Sequence, residues 1–401
     1  MTKIVHINAT GARGGAAIAC SRLNDALNRA GISSSMLVAD NPSLLNRIKK
    51  SIFYRINHPK ELLLDTEANF SLMRFGLPIY KSREVMDADI IFIHWVCANT
   101  LSIEGVEKTL QLGKPTFWFM HDMFPFTGGC HYSLSCDRYK GDCNDCPQIR
   151  NKSYKEEARK QLLRKINHWT DYRNLEFIAP SNWEAKCASE SSLCRGHKVH
   201  VAANIIDTTT YKPATNSFKE KFGLDVNKRT ILFGASRINS PYKGAHYAKD
   251  CLKMLDPERF EGLVIGNADS SFVKDLPIKV VQTGFLSDDA TIAMAYNACD
   301  TFIMTSIAES FGQVVAEAMA CGKPCIGFPT GGVLDLIKHG QTGFLTKKYE
   351  ASELIDGIRW IFADGERYNE LSRRCRNQIL EQNSFLRVKD IHKEIKPYLN
   401  D

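Results

Sequence analysis

The stretch that most constrains this 401-residue chain is Thr305–Gly322, TSIAESFGQVVAEAMACG. Upstream, CDTFIMTS has the apolar run of a short buried strand. Downstream of the small polar residues, Val314, Val315, Ala318 and Met319 recur at helical spacing, and Gly322 and Pro324 stop the helix. The order is strand, loop, helix N-terminus, helix. The first-turn N–H groups then lack intrahelical partners and point at whatever lies above the loop. The helix dipole adds about 0.3–1 kcal/mol in favour of negative charge there.

Two acids lie within this unit, Glu309 in the loop and Glu317 in the helix. A helix starting near Gly312 puts Glu317 about 7–8 Å along its axis. That is roughly the separation of a sugar from the ribose of a nucleotide diphosphate sugar, and a carboxylate can accept both hydroxyls of a vicinal diol. The plainer reading makes both residues solvated helix-end acids. The Ser310-Phe311-Gly312 loop tip and the Ala318-x-Ala320-x-Gly322-x-Pro324 pattern that follows weigh against it.

E-S-F-G-x-x-x-x-E, then A-x-A-x-G-x-P and a Gly-Gly turn at Gly331-Gly332, resembles the retaining glycosyltransferases of family 4 (glycosyl transferases group 1). The resemblance implies the GT-B fold: α/β, with two facing Rossmann-like doubly wound domains and a cleft between them. It implies boundaries at residues 1–207 for an acceptor-side domain, 214–384 for a donor-binding domain, and 385–401 for a last helix that packs back on the first.

Composition is that of a globular protein, 44% hydrophobic and 24% charged. No run approaches the length of a membrane-spanning helix. MTKIVHINAT enters a strand almost at once without a leader pattern, so a cytoplasmic protein is expected. Charge is asymmetric. Residues 1–200 hold 27 Lys and Arg against 20 Asp and Glu, whereas 201–401 hold 25 of each. No nucleic-acid motif accompanies the basic half, and no nucleic acid partner is expected. An anionic membrane face suits the asymmetry. Within that half, Leu45, Ile48, Ile52 and Ile56 share one face of a helix over 44–64, with Arg47, Lys49, Lys50 and Arg55 off it. The face either enters the core or lies on a membrane, and Pro59 limits the helix.

Lys3–Asn8 alternates as a strand, Gly14-Gly15 turns, and a helix closed by Gly31 follows. The spacing is not G-x-G-x-x-G. A plain turn is one reading of Gly14 and Gly15; the family resemblance implies instead a loop facing the acceptor and the donor phosphates. ADIIFIHW and PTFWFMHDM are buried strands ending at His94 and His121, and open parallel sheets bind ligands beyond such ends. The resemblance places His121 near the transferred sugar.

Cys130, Cys136, Cys143 and Cys146 form a Cys-rich insert over 130–146. Four close thiols suit a structural zinc, with free thiols and redox pairs as the other readings. Single cysteines such as Cys20, Cys97, Cys251, Cys299 and Cys321 read as small core residues. Lys155–Asn167 reads as a helix with Leu162, Leu163 and Ile166 inward. Ser181 and Ser287 read as N-caps.

In the second half, Arg237 and Lys243 follow the strand Ile231–Gly234, where two cations can hold a diphosphate. The resemblance assigns them that role and assigns Gly284 and Phe285 to the donor base. Gly331-Gly332 is expected to let backbone N–H groups approach a phosphate or sugar. The implied activity moves a sugar from a nucleotide diphosphate sugar to a hydroxyl of a glycan or lipid-linked glycan, with retention, no catalytic metal and no required cofactor. Glu309 would hold the sugar, Glu317 the ribose. A sugar-nucleotide epimerase on the same fold and a non-catalytic sugar-nucleotide-binding protein are the alternatives.

Overall fold

A computed structural model of the chain describes residues 2–11, 14–39, 44–66, 68–214, 218–234, 238, 240–267 and 270–399. The chain divides into two compact units. One comprises Met1–Ile205 with Val388–Asp401, the other Ile206–Arg387.

The first unit is built on six parallel strands: β1 (Lys3–Asn8), β2 (Ser33–Val38), β3 (Ile90–Ile93), β4 (Thr116–Phe119), β5 (Leu175–Ala179) and β6 (Val199–Val201), in the order β2-β1-β3-β4-β5-β6. Parallel neighbours cannot be joined by hairpins, so every connection crosses over the sheet. The central strands IIFI and TFWF are buried at every position, as expected for strands covered on both faces. One face carries Val5, Ile7, Ile91, Ile93, Trp118 and Met120 into the main core. The other carries alternating aromatic rings. His6 stacks on Phe92 at 4.9 Å, Phe92 on Phe117 at 5.3 Å, and His94 on Phe119 at 5.6 Å between ring centroids.

The returning C-terminal helix Val388–Ile395 buries Val388, Ile391 and Ile395 in this unit. It is pinned to β5 and β6 by polar contacts. His200 bridges Glu176 (2.6 Å) and Glu394 (2.8 Å), and the Tyr398 hydroxyl donates to Glu176 at 3.0 Å.

Helix α1 (Gly15–Arg29) follows the Gly14 turn, and helix α2 (Leu44–Leu64) runs unbroken through position 59, where Pro59 was expected to limit it. Its attachments lie on both sides of that position. Phe53 stacks on Phe75 at 5.2 Å, Asn57 donates to Asn99 at 2.6 Å, Lys60 pairs with Glu157 at 2.6 Å, and Leu64 is fully buried. These residues take the inner face, so the isoleucine stripe turns outward. Ile48, Ile52 and Ile56 are 50%, 49% and 47% exposed, which removes the core reading of that stripe.

The helix Glu157–Trp169 also differs from expectation. Its inner face is Ala158, Gln161, Leu162, Lys165 and Trp169, with Leu163 exposed. Lys165 is wholly buried and donates to the carbonyls of Phe124 (2.6 Å) and Thr127 (3.0 Å), tying down the loop after β4. Burial lowers its pKa to about 8.

The second unit has the strands β7 (Arg229–Gly234), β8 (Phe260–Ile265), β9 (Val280–Gly284), β10 (Thr301–Met304), β11 (Cys325–Gly327) and β12 (Gly343–Leu345), in the order β12-β11-β10-β7-β8-β9. All pairs are parallel. β7 leads to β8 on one side, and β10 leads to β11 on the other. The order therefore reverses between β7 and β10, the crevice where such sheets bind ligands. The helix Asp289–Ala298 is capped by Asp288, whose carboxylate accepts from Thr291 N–H at 2.7 Å, one residue beyond the expected Ser287. Ser181 caps as expected, accepting from Glu184 N–H at 3.2 Å.

Candidate functional site

In the second unit the loops after β7 and β10 are joined by three contacts. The Thr305 hydroxyl donates to Lys243 C=O at 2.9 Å, Ile307 N–H donates to Tyr242 C=O at 2.8 Å, and the Lys243 ammonium lies 2.7 Å from Glu309 Oε2. Gly244, at φ +63°, makes the approach possible, since a Cβ there would lie 2.1 Å from Thr305 C=O. The side chains of Lys243 and Glu309 are 18% and 12% exposed. Burial opposes the charge on Lys243, but the Glu309 carboxylate outweighs it and holds the ammonium above the usual lysine range. Arg237 lies outside the described residues.

Gly312, at φ +99°, turns the chain into the helix Gln313–Ala320. Ser310 and Phe311 are buried, so what the loop tip offers a ligand is backbone. Glu317 is also buried. Its carboxylate accepts from Gln313 Nε2 at 3.0 Å and from the Tyr296 hydroxyl at 3.3 Å. The Gly331-Gly332 turn packs on the Glu309 loop. Gly332 N–H donates to Glu309 C=O at 2.9 Å, and a Cβ on Gly331 would sit 1.8 Å from that same oxygen. The two glycines let a backbone close on the Glu309 loop and fix it. Gly284 ends β9 at φ +68° and accepts from Gly266 N–H at 2.9 Å; Phe285, next to it, is half exposed. Lys243, Glu309 and Gly284 thus all follow carboxyl ends of strands in one sheet.

In the first unit Gly14 precedes α1 at φ +90°, with open space around both Gly14 and Gly15. His121 is half-buried beyond β4. His94 follows β3 but does not face solvent. It is 2% exposed and lies between two other imidazoles, with Nδ1 2.9 Å from His121 Nε2 and Nε2 2.8 Å from His6 Nδ1. His6 was not singled out from the sequence. Strand parity could have found it, because His6, Phe92, His94, Phe119 and His121 alternate onto one face. A second network holds the loop after β4. His131 Nδ1 is 2.6 Å from Asp122 Oδ2, and its Nε2 is 2.9 Å from the Ser71 hydroxyl.

All thirteen cysteines are free thiols. Cys130, Cys136, Cys143 and Cys146 line one cavity with Phe70 and Tyr139. Among the described residues, the one group of three or more His, Cys, Asp or Glu with ligand atoms mutually within 4.8 Å is His6, Cys20 and His94, so the four sulfurs are not at tetrahedral zinc spacing as placed.

Residues 215–378 match the family model described as glycosyl transferases group 1. The chain is 27% identical over 190 residues to N-acetyl-alpha-D-glucosaminyl L-malate synthase of Bacillus anthracis, a match covering 46% of this chain and 49% of that protein. The chain spans about half the length of the curated relatives it matches. Among solved structures, Anabaena HepE in complex with UDP and glucose superposes with a TM-score of 0.64 at 20% identity over 100% of both chains. Sucrose-phosphate synthase of Thermosynechococcus elongatus does so with 0.67 at 15% identity, again over 100% of both. At these identities the likeness is one of fold. Two six-stranded parallel α/β sheets and these neighbours give the chain the GT-B fold, and its segment 215–378 carries the glycosyl transferases group 1 pattern.

Proposed function

We propose that the protein is a retaining glycosyltransferase of family 4 that moves a sugar from a nucleotide diphosphate sugar to a hydroxyl of a glycan or lipid-linked glycan. The observation that carries this reading is the part-buried Lys243–Glu309 pair fixed at the reversal point of the second sheet. The relative whose structure holds UDP and glucose, and the same protein with UDP-glucose, support the donor class.

In this reading the bond from the anomeric carbon to the diphosphate oxygen breaks, and the acceptor hydroxyl oxygen bonds to that carbon from the same face. Its proton leaves with the departing diphosphate. Charge builds on the diphosphate, which Lys243, Arg237 and the N-terminus of Gln313–Ala320 would stabilise; one such donor typically supplies about 2.7–4 kcal/mol. Glu309 would hold the sugar, Glu317 the ribose hydroxyls, and the backbone at Gly284 and Phe285 the base. His121 would contact a hydroxyl of the transferred sugar. These cations and dipoles would act without a catalytic metal.

Helix α2 supports a peripheral site at the cytoplasmic membrane face. Its outward Ile48, Ile52 and Ile56 are apolar, and the exposed Arg47, Lys49 and Arg55 off that stripe suit anionic headgroups. Among the described residues no helix is long and apolar enough to cross a membrane. A structural zinc at the four cysteines would have to draw their sulfurs together. One zinc per purified chain would support it, and a metal-free folded chain would remove it.

The deciding experiment mixes the protein with UDP-, GDP- and ADP-sugars and records which raises its melting temperature and which is consumed only when acceptor is present. Turnover of donor into an isomer without acceptor would favour the epimerase reading instead.

A further inference from the structure

Three imidazoles form a continuous hydrogen-bonded row across the first sheet. His121 follows β4, His94 follows β3, and His6 lies in β1, on neighbouring strands. From the outer end inward the separations are 2.9 Å (His121 Nε2 to His94 Nδ1) and 2.8 Å (His94 Nε2 to His6 Nδ1). The row then reaches the Ser34 hydroxyl on β2, 3.0 Å from His6 Nε2, and that hydroxyl donates to Asn24 Oδ1 at 2.9 Å. His6 and His94 are buried, whereas His121, Ser34 and Asn24 are each part-exposed. Stacking on Phe92 and Phe119 fixes the ring planes.

A metal does not explain the row. Cys20 lies close to both inner rings, but a tetrahedral zinc would hold two imidazole nitrogens ~3.3 Å apart given its bond lengths. The 2.8 Å between His6 and His94 is a hydrogen bond.

With Asn24 assigned Oδ1 toward Ser34, hydrogen-bond arithmetic sets every proton. A neutral imidazole has one donor and one acceptor nitrogen. Ser34 spends its hydroxyl hydrogen on Asn24, so its oxygen accepts from His6 Nε2–H. His6 Nδ1 therefore accepts from His94 Nε2–H, and His94 Nδ1 accepts from His121 Nε2–H. We propose that His6 and His94 are positioning residues that hold the proton of His121 on Nε2, so that this ring offers Nδ1 as a hydrogen-bond acceptor to a hydroxyl of the bound sugar. The proposal rests on the reading that His121 meets the transferred sugar. It deepens that reading by making a donating hydroxyl the group recognised. Burial supports it by keeping the rings neutral: the His121 pKa is lowered to about 4 and that of His6 to about 3.

The test has two arms. In histidine-labelled full-length protein near neutral pH, two-bond proton–nitrogen correlations report the tautomer of each ring. Wild type is expected to show His121 protonated on Nε2, and Ser34→Ala to let the Nδ1–H form appear at His121, two rings away. His121 protonated on Nδ1 in wild type, or unchanged by both Ser34→Ala and His94→Phe, would overturn the proposal. In transfer assays, His94→Phe should lower kcat about tenfold while the donor KM changes less than about twofold, with His94→Gln recovering part of the loss. Full kcat in a folded His94→Phe protein would also overturn it. A wild-type protein with no transfer activity would remove the functional reading while the spectrum still decides the proton's place. Ser34→Ala, at the part-exposed end, carries the spectroscopic arm without opening the core.

Discussion

The Lys243 ammonium and the Glu309 carboxylate face each other at 2.7 Å, each less than a fifth exposed, on two loops that backbone contacts hold together. Each therefore leaves the other's charge uncompensated when removed. Lys243→Ala and Glu309→Ala should each lower sugar transfer at least about tenfold and lower stability by roughly 1–3 kcal/mol. The double variant should be destabilised by less than the sum, because the orphaned charge is gone. Turnover and denaturant midpoints of the three variants check this; wild-type turnover in both single variants would end the assignment.

Gly331 and Gly244 touch no reacting group in this account, yet both should matter. A methyl group at Gly331 would lie 1.8 Å from Glu309 C=O, and one at Gly244 2.1 Å from Thr305 C=O, both at positive φ. Gly331→Ala and Gly244→Ala should cost about 2 kcal/mol or more, through steric displacement added to backbone strain. Donor affinity should fall with them as the Glu309 loop moves. Calorimetric melting and donor titration of each variant measure the two effects.

Stability should depend on pH in both directions around neutrality. Burial opposes the charged form of His131, but Asp122 outweighs it by charge and hydrogen bond, with Cys97 adding to the effect, and the pKa rises to about 10. A folded pKa above the unfolded value of about 6.5 gives stability present below that pH and lost as pH rises toward 10. Burial depresses His6 to about 3 and His121 to about 4, and His94 moves the same way. Their contribution is present above about pH 6.5 and lost as pH falls toward those values. The melting temperature should therefore peak near neutral pH, and Asp122→Asn should flatten the alkaline limb, where its effect on His131 falls.

Helix α2 should bind vesicles containing anionic lipid, and less so as salt is raised. Ile52→Glu should abolish flotation with such vesicles while leaving the melting temperature within about 1 °C, since this side chain is 49% exposed. Loss of fold would instead place the stripe inside.

In the proposed mechanism Lys243 and the Gln313–Ala320 helix start meet the charge on the leaving diphosphate, so transfer should survive excess EDTA unchanged. A rate that collapses with EDTA and returns with magnesium would contradict the metal-independent reading.

The strands were legible because buried parallel strands are short apolar runs closed by glycine or small polar residues. The loop bearing Glu309 was legible for the same reason. What escaped was orientation. Periodicity in α2 revealed an apolar stripe but not its side, because Phe53, Asn57, Lys60 and Leu64 formed a competing face that only tertiary partners could select. The Gly-Gly turn revealed close approach but not to what; Glu309 C=O, twenty-two residues upstream of Gly331, is the neighbour. His6 hid in an alternating strand, since its partners come from β3 and β2.

The return of Val388–Ile395 to the first unit has a bearing on how the protein is made. Glu176 and His200 meet Tyr398 and Glu394 only after the segment carrying those two residues, on the far side of the second unit in sequence, has left the ribosome. The whole of Ile206–Arg387 has been synthesised by then and can assemble first. Residues 1–205 thus wait, unfinished, through the synthesis of the whole second unit for their closing piece, and removal of Val388–Ile395 damages a body whose other strands lie hundreds of residues upstream.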